Sequence, residues 1–429
     1  MISVVKWLIK CFHTVILNSN NIVKTPNEAN TLLIIYLVTL LLLLVGFLVI
    51  ENIFHLRTLK KIPVRIHVNG TRGKSSVARL IAAGMRGAGL RTCVKTTGTD
   101  ARMIDPEGNE SPVYRVGYTN VIEQVKVMRW AVKNNAKAIV IECMALQPLL
   151  QSLCERRIVQ STHGVLTNAR PDHLDVMGPS ERDVAMAMAG TMTVNGDYFT
   201  SEREHLDFFE YAAKDRGSII HSVSDKEIDD LTDEEMRVFS YTEFKVNVAL
   251  ALKVCEALGL DRAHALKGMW GATPDPGALR EYPFEFRDKS YVFANAFAAN
   301  DPVSTLMLWN NLLAKYSNCN SKVLVVNCRQ DRQDRSNQLA EAIITWEKPD
   351  VILLIGTGTE YFVHYYKKYV TEVQREHVMI KICENEGVET IYGHLVEMSL
   401  PDPYLLVGVG NIKGIGMEII DYCEKSVGA

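Results

Sequence analysis

The sequence predicts an α/β protein with mostly parallel sheets behind one N-terminal transmembrane helix. Three observations carry that expectation. Leu32–Ile50 runs for 19 residues without a charge. From Pro63 onward, short apolar runs alternate with segments of helical periodicity, the pattern of strands joined by crossover helices. The first apolar run leads through a glycine-rich turn, containing Gly73-Lys74-Ser75, into the first helical segment. The chain has 429 residues, 47% apolar and 23% charged, which excludes a disordered polyampholyte and leaves room for two or three domains. A formal charge of −3 provides no basic field, so no nucleic-acid partner is expected. Nine cysteines without a CxxC pair point to reduced thiols on the cytosolic side, not to a disulfide framework or structural zinc.

At a rise of ~1.5 Å per residue, Leu32–Ile50 would extend ~28 Å, close to the thickness of a bilayer core. The run ends at Glu51-Asn52 with no small-residue cleavage signal, which favours a span over a signal peptide. Lys6, Lys10 and Lys24 precede it; Arg57, Lys60, Lys61 and Arg65 follow. This slight bias places the C-terminal side of a single-pass span in the cytoplasm. The basic, apolar stretch Met1–Leu17 fits an interfacial helix or an unstructured extension, and both remain open. The expected organisation is an extension over 1–30, a transmembrane helix over 31–50, a basic linker over 51–62, and α/β domains over 63–284 and 285–429.

Expected strands in the first domain are Val64–Val68, Ala138–Glu142, Gly164–Thr167, Asp197–Thr200 and Ser218–His221. Ser75–Ala88 and Val121–Asn134 have helical periodicity. A second set follows Pro283: Ser290–Ala294, Lys322–Asn327, Val351–Ile355, Val378–Ile382 and Tyr404–Val407. The break between them falls near 280–289, after the turn-rich Thr273-Pro274-Asp275-Pro276-Gly277.

The main chemical signal is Asn69-Gly70-Thr71-Arg72-Gly73-Lys74-Ser75-Ser76. Glycines let backbone N–H groups converge on phosphate oxygens, and the helix N-terminus adds its positive dipole end. Lys74 would reach the β- and γ-phosphates, and Ser75 or Ser76 would offer a hydroxyl to Mg²⁺. The full GxxxxGK[ST] form is absent; the shorter GTxGKS is present. Glu142, at the C-terminal end of its strand, is placed to hold Mg²⁺. His173, flanked by Asp172 and Asp175 after a strand of the same sheet, is a candidate ligand or acid/base group.

Gly70-Thr71-x-Gly73-Lys74-Ser75, a strand-end Glu142 and Asp172-His173-Leu174-Asp175 occur in an order that resembles the Mur ligase superfamily. Within it, residues 51–429 resemble the poly-γ-glutamate synthase ligase subunits, the CapB/PgsB capsule proteins. The resemblance rests on KTTGTDARM (95–103), ECMA (142–145), DHLDVMGP (172–179), PDPGALR (274–280), FAAND (297–301), NCRQDRQDR (327–335) and GVGNIKG (408–414). It implies a Mur-ligase-like ATP-binding domain followed by a Rossmann-like ligase domain. The implied enzyme is an ATP- and Mg²⁺-dependent amide ligase that forms an acyl phosphate on a glutamate γ-carboxylate. By the same resemblance, Gly70–Ser76 and Lys74 hold phosphates, Ser75 and Glu142 hold one metal, and Glu142 and His173 a second. Thr99 is a weaker metal candidate. Asn247 would contact adenine, Arg280 the phosphates, and Asn300 and Asp301 the ribose. The usual acidic residue of the ribose motif is replaced by Asn295, and no lysine occurs between Asp175 and Glu202 to serve as the carbamylated lysine of many Mur ligases.

Arg329, Arg332 and Arg335 recur every three residues, with Asp331 and Asp334 between. They read either as a salt-bridged solvated face or as forked donors to glutamate carboxylates. Gly408-Val409-Gly410-Asn411 lacks GxGxxG spacing and reads as a strand-to-helix turn, not a dinucleotide site. The implied partners are glutamate, poly-γ-glutamate, the membrane, and membrane-embedded synthase or export subunits of the CapC/PgsC and CapA/PgsA kinds; a homo-oligomer is left open. Two other functions compete: a ligase acting on a folate or wall precursor, and a membrane transport scaffold driven by ATP.

Overall fold

The computed structural model describes residues 26–97, 101–115, 117, 119–275, 278–297, 299, 302–373 and 378–427. It divides into two units, one ending at Lys61 and one beginning at Ile62.

The first unit is a single helix, Pro26–Lys60, of 35 residues. Its segment Leu33–Lys60 is long and apolar enough to cross a membrane. Leucines on every face are exposed, Leu42 at 65% and Leu48 at 56%, so the helix has no apolar stripe facing a protein core. The hydroxyls of Thr39 and Thr58 donate to the carbonyls of Ile35 and Phe54, each at 2.8 Å, which satisfies them within the helix. The helix runs on to Lys60, so the stretch expected as a basic linker is helical over most of its length. Residues 1–25, including the expected extension, lie outside the described residues.

The second unit holds two sheets. The first has eight strands: β1 (Val64–Asn69), β2 (Thr92–Lys95), β3 (Arg102–Ile104), β4 (Glu110–Pro112), β5 (Ala138–Glu142), β6 (His163–Leu166), β7 (Asp197–Thr200) and β8 (Ile219–Ser222). Their spatial order is β4-β3-β2-β5-β1-β6-β7-β8. The six from β2 to β8 are parallel, and β3 and β4 add an antiparallel edge. Ile66 and Val68 pack with Val77, Leu80 and Ile81 of the helix Lys74–Gly87. His67 and Asn69, alternating with them, face the other side of the strand.

The second sheet comprises β9 (Arg280–Phe286), β10 (Lys289–Asn295), β11 (Ser321–Cys328), β12 (Val351–Gly356), β13 (Met379–Glu384) and β14 (Tyr404–Gly410), in the order β13-β12-β11-β14-β10-β9. The helices Pro302–Lys315, Gln333–Ile343 and Thr359–Val373 build one apolar layer, around Trp309, Leu339 and Phe362. Val388–Glu397 and Ile415–Val427 build a second, around Tyr392 and Ile420. Helices on two faces let the strands be apolar throughout, as Val351–Ile355 is.

All ten strands expected from the sequence are present within three residues of their expected limits. The four that were not expected have clear reasons. β2, β3 and β4 are three or four residues long, too short to show alternation. β9 contains Pro283, which argues against a central strand; it is an edge strand paired antiparallel with β10 alone. That hairpin moves the break between the two sheets from the expected 284/285 to just before Arg280.

The helix Lys74–Gly87 crosses the helix Arg262–Trp270 at glycines. A Cβ at Gly268 would lie 2.3 Å from the Ala83 carbonyl oxygen and 2.8 Å from the Gly87 Cα. Gly268→Val should therefore cost about 1–3 kcal/mol by overpacking, read as a lowered thermal midpoint. A midpoint equal to wild type would mean that the crossing is looser than described.

Candidate active site

The loop after β1 is braced from beneath. Asn69 donates through Nδ2 to Gln151 Oε1 at 2.9 Å and to Thr191 Oγ1 at 3.0 Å, while its Oδ1 accepts from Gly70 N at 2.9 Å. Gly70 has φ 140° and Gly73 φ 77°; a Cβ on Gly70 would sit 1.9 Å from Thr167 Oγ1. These positions require glycine for conformation and close approach together. Thr71 Oγ1 donates to Asn168 Oδ1 at 2.7 Å, and the same oxygen accepts from Arg72 N at 3.1 Å. Gly73 caps the helix Lys74–Gly87 with no side-chain acceptor, leaving first-turn N–H groups for an anion. The Lys74 ammonium donates to the Gly70 carbonyl at 2.6 Å and the Thr71 carbonyl at 3.4 Å.

Strand order brings two further groups to this loop, because β5 and β6 flank β1. Glu142, 2% exposed, ends β5; its Oε2 accepts from Ser75 Oγ at 2.9 Å and Thr97 N at 2.6 Å. His173 follows β6 in a left-handed conformation, φ 46°, and starts the short helix Leu174–Met177. Burial pushes its imidazole below the usual histidine range, Asp172 opposes this, and Arg332 and Arg335 add to it. At neutral pH the ring is therefore neutral, the state that binds metals. A hydroxyl, a buried carboxylate and a neutral imidazole at one cleft fit a divalent cation. Thr99 lies outside the described residues, as do Asn300 and Asp301.

The loop, Glu142 and His173 line a cleft of about 550 Å³ whose other wall is the second sheet. Among the described lining residues are seven Lys or Arg side chains against two carboxylates, Glu142 and Asp172. This imbalance suits a site for several anions at once. Arg72 pairs with Asp172 at 3.2 Å. All three arginines of the repeat, Arg329, Arg332 and Arg335, face the cleft. Arg335 donates to Asn411 Oδ1 at 2.9 Å; burial, then Arg332 and Arg72, pull its guanidinium down to about 10, against Asp172. Arg329 forms a fork to Asp331, at 3.0 and 2.6 Å. Asn411 is fixed by its Nδ2 bond to the Asn327 carbonyl at 3.0 Å.

Comparison with known proteins accounts for these features together. The family described as "Poly-gamma-glutamate synthase CapB C-terminal domain" matches residues 281–426, and "Mur ligase middle domain" matches residues 68–193. The chain is 36% identical to the PGA synthase CapB of Bacillus subtilis over 384 residues, 89% of this chain and 94% of that one. It is 38% identical to the capsule biosynthesis protein CapB of Bacillus anthracis over 394 residues, 89% of this chain and 82% of that one. The chain belongs to the CapB family. The fold is also that of folylpolyglutamate synthases. The bifunctional folylpolyglutamate/dihydrofolate synthase of Yersinia pestis, complexed with AMPPNP and Mn, superposes with a TM-score of 0.63 at 16% identity, covering 87% of this chain and 92% of that one. The Thermotoga maritima folylpolyglutamate synthase gives 0.57 at 14%, covering 87% and 92%.

Not every expected residue of this CapB-family chain reaches the cleft. Arg280 starts β9 and pairs with Glu424 of the last helix at 2.9 Å, outside the described lining of the cleft. It lies opposite Asn295 in the antiparallel β9–β10 pair. Asn247 sits beneath the phosphate loop instead of lining the cleft; its Nδ2 donates to Glu243 at 2.8 Å, and its Oδ1 would lie 3.2 Å from a Cβ on Gly73. Gly73, Ser75 and Ser76 are half-buried and outside the described lining of the cleft, and Ser75 donates to Glu142. Residues not singled out from the sequence include Thr167 and Asn168, which brace the loop, and Arg115 and Lys413, which line the cleft. Asn168 follows directly on the expected strand 164–167, and that position was the available signal.

A buried pair underlies the whole arrangement. His67, on β1, is 2.8 Å from Glu155, and both side chains are at most 2% exposed. Glu155 Oε1 also accepts from the N and Oγ of Ser161, each at 2.8 Å. Burial opposes charge on His67, but Cys143 and Glu155 outweigh it and push the imidazole up to about 10. A histidine raised on folding contributes its full stability below its unfolded value of about 6.5 and loses it as pH rises through the folded value. Glu155→Gln should thus cost about 3–5 kcal/mol near neutral pH. The deficit against wild type should shrink as pH climbs through about 10. Thermal midpoints of both proteins from pH 6 upward test this; a deficit independent of pH would exclude a charged His67.

Proposed function

We propose that this chain is a membrane-anchored, ATP- and Mg²⁺-dependent amide ligase that extends poly-γ-glutamate. The observation that carries the reading is the cleft: a phosphate loop with Glu142 and His173 on one wall, and three arginines on the other. The CapB relatives carry the polymer's identity.

The reaction joins three anionic groups, so neutralising charge is its principal requirement. N–H groups of Gly70–Ser75 and the Lys74 ammonium receive the ATP phosphates. Lys74 exchanges its two carbonyl partners for phosphate oxygens, which are stronger, charged acceptors. The acceptor's γ-carboxylate oxygen attacks the γ-phosphorus, and ADP leaves with the electrons of the broken P–O bond. The α-amine of the incoming glutamate then attacks the acyl carbon, and phosphate departs as the amide forms. Ser75, Glu142 and His173 would hold Mg²⁺, which when bound screens the phosphate charges. Arg332 and Arg335 present forked donors to glutamyl carboxylates and orient the acceptor. Thr99, Asn300 and Asp301 remain proposed contacts on the resemblance alone, as does Arg280, which would have to leave Glu424 to reach a nucleotide.

In this reading Leu33–Lys60, long and apolar enough to cross a membrane, would be the anchor, with the catalytic unit on the cytoplasmic side. The polymer needs a route out, so membrane-embedded partners of the CapC and CapA kinds belong to the same reading. A ligase for folate is disfavoured because the folylpolyglutamate synthases share only the fold, at 14–16% identity.

The test is phosphate release by the detergent-solubilised full chain with ATP and Mg²⁺, with and without glutamate and γ-glutamyl oligomers. Release should depend on glutamate and give a longer γ-linked product. Lys74→Ala should lower kcat by at least about 10²-fold, on the scale of losing one charge-stabilising donor. Release indifferent to glutamate would replace this reading with the transport scaffold.

Arg332→Gln and Arg335→Gln should raise KM for oligomers by about 10-fold or more while changing KM for ATP little. An equal rise in both constants would place these arginines at the nucleotide instead.

A further inference from the structure

A thiol, a carboxylate and an imidazole meet at the turn after β13. Cys383 is buried on β13, Glu386 lies three residues later, and His394 is on the helix Val388–Glu397. One donor atom from each lies within 4.8 Å of the other two. His394 Nε2 stands 2.9 Å from Glu386 Oε2, and its Nδ1 stands 3.2 Å from Glu397 Oε2. The ring is therefore held by one carboxylate at Nδ1 while Nε2 faces the cluster. This is how ligating histidines are usually oriented.

We propose that Cys383, Glu386 and His394 form a binding site for a borderline-soft divalent cation of the Zn²⁺ type. In a tetrahedral site with bonds of ~2.0–2.3 Å, donor atoms stand ~3.3–3.8 Å apart. The three atoms need to shift by about an ångström or less to close on an ion. The soft Cys383 thiolate disfavours Mg²⁺, which prefers hard oxygen-rich shells, so this is not the nucleotide's metal. Three protein ligands leave a fourth position for water. The way in is open, since Glu386 is 30% and His394 21% exposed. The ion replaces the proton shared by Nε2 and Oε2, and the Cys383 thiol proton leaves to solvent.

The site has a structural consequence. Glu386 is part of the wall of a second cleft, about 580 Å³, at the C-terminal ends of β11 to β14. Arg329 and Lys413 line both this cleft and the catalytic one. Glu384, at the end of β13, accepts from Gly358 N at 2.8 Å and Thr359 Oγ1 at 2.7 Å, which ties the base of the turn to its neighbour. A bound ion would fasten the other end of the turn to the helix Val388–Glu397.

The experiment uses the full chain in detergent, washed with chelator and then held in saturating Mg²⁺. Co²⁺ titration should give one equivalent with a near-ultraviolet thiolate-to-cobalt band and the visible bands of four-coordinate cobalt, both removed by Zn²⁺. Cys383→Ser should lose the near-ultraviolet band. His394→Gln and Glu386→Gln, at partly exposed positions that the fold tolerates, should weaken binding at least ~10-fold. Glu397→Ala should weaken it ~10–100-fold and keep the thiolate band. Absence of the band in wild type, or its survival unchanged in Cys383→Ser and His394→Gln, would overturn the site and leave His394 as an ion-pair partner of two glutamates.

Discussion

Val68 lies opposite Glu142 across β1 and β5, and Asn69 lies opposite Leu166 across β1 and β6. This register places the phosphate loop, the metal-type carboxylate and the His173 loop at one end of three neighbouring strands. Side chains alternate faces along a strand, so a one-residue slip of β5 would turn Glu142 away from Ser75 and bring Cys143 into its place. The buried His67–Glu155 pair and the Asn69 brace oppose such a slip. Each satisfies polar groups on the face of β1 opposite the helix Lys74–Gly87, and a shifted strand would leave those groups buried without partners. Polar contacts beneath the loop thus fix the register, and apolar contacts above it hold the helix.

The cleft has a different energetic character. Seven cationic side chains against two carboxylates repel one another, and the depressed Arg335 guanidinium reports that repulsion together with burial. Such a surface does not stabilise the fold. It lowers the free energy of a state in which triphosphate and carboxylates fill the cleft, because each anion then meets donors already oriented. The arginines come from the second sheet and the phosphate loop from the first. Anions bound between them would meet donors from both sheets.

The parts of this design written in local sequence were legible. Apolar runs of four to six residues gave ten strands, and the phosphate loop with its following helix announced itself through glycines and a lysine. What sequence could not supply was long-range placement. Glu155 pairs with His67 across 88 positions, and Asn168 braces Thr71 across 97. No local pattern encodes either. Arg280 matched a motif, yet the β9–β10 hairpin directs it to Glu424. Pro283 concealed that hairpin. Cys383, Glu386 and His394 lack any CxxC spacing, and only the bend after β13 brings them together.

The apolar helix and the cationic cleft answer one problem of transport. A γ-linked glutamate polymer carries a free carboxylate on each residue, and a charged group at the centre of a bilayer costs several kcal/mol. In the proposed reading the product would therefore not leave through lipid and would pass to a protein path. A membrane anchor would convert that hand-over from a bimolecular encounter to one governed by a high effective concentration beside the membrane. The leucines of Leu33–Ile50 are all exposed, which suits lipid contact better than a protein core. On the same proposal, the polymer charge that would call for a protein exit would also be met by the arginine wall of the cleft.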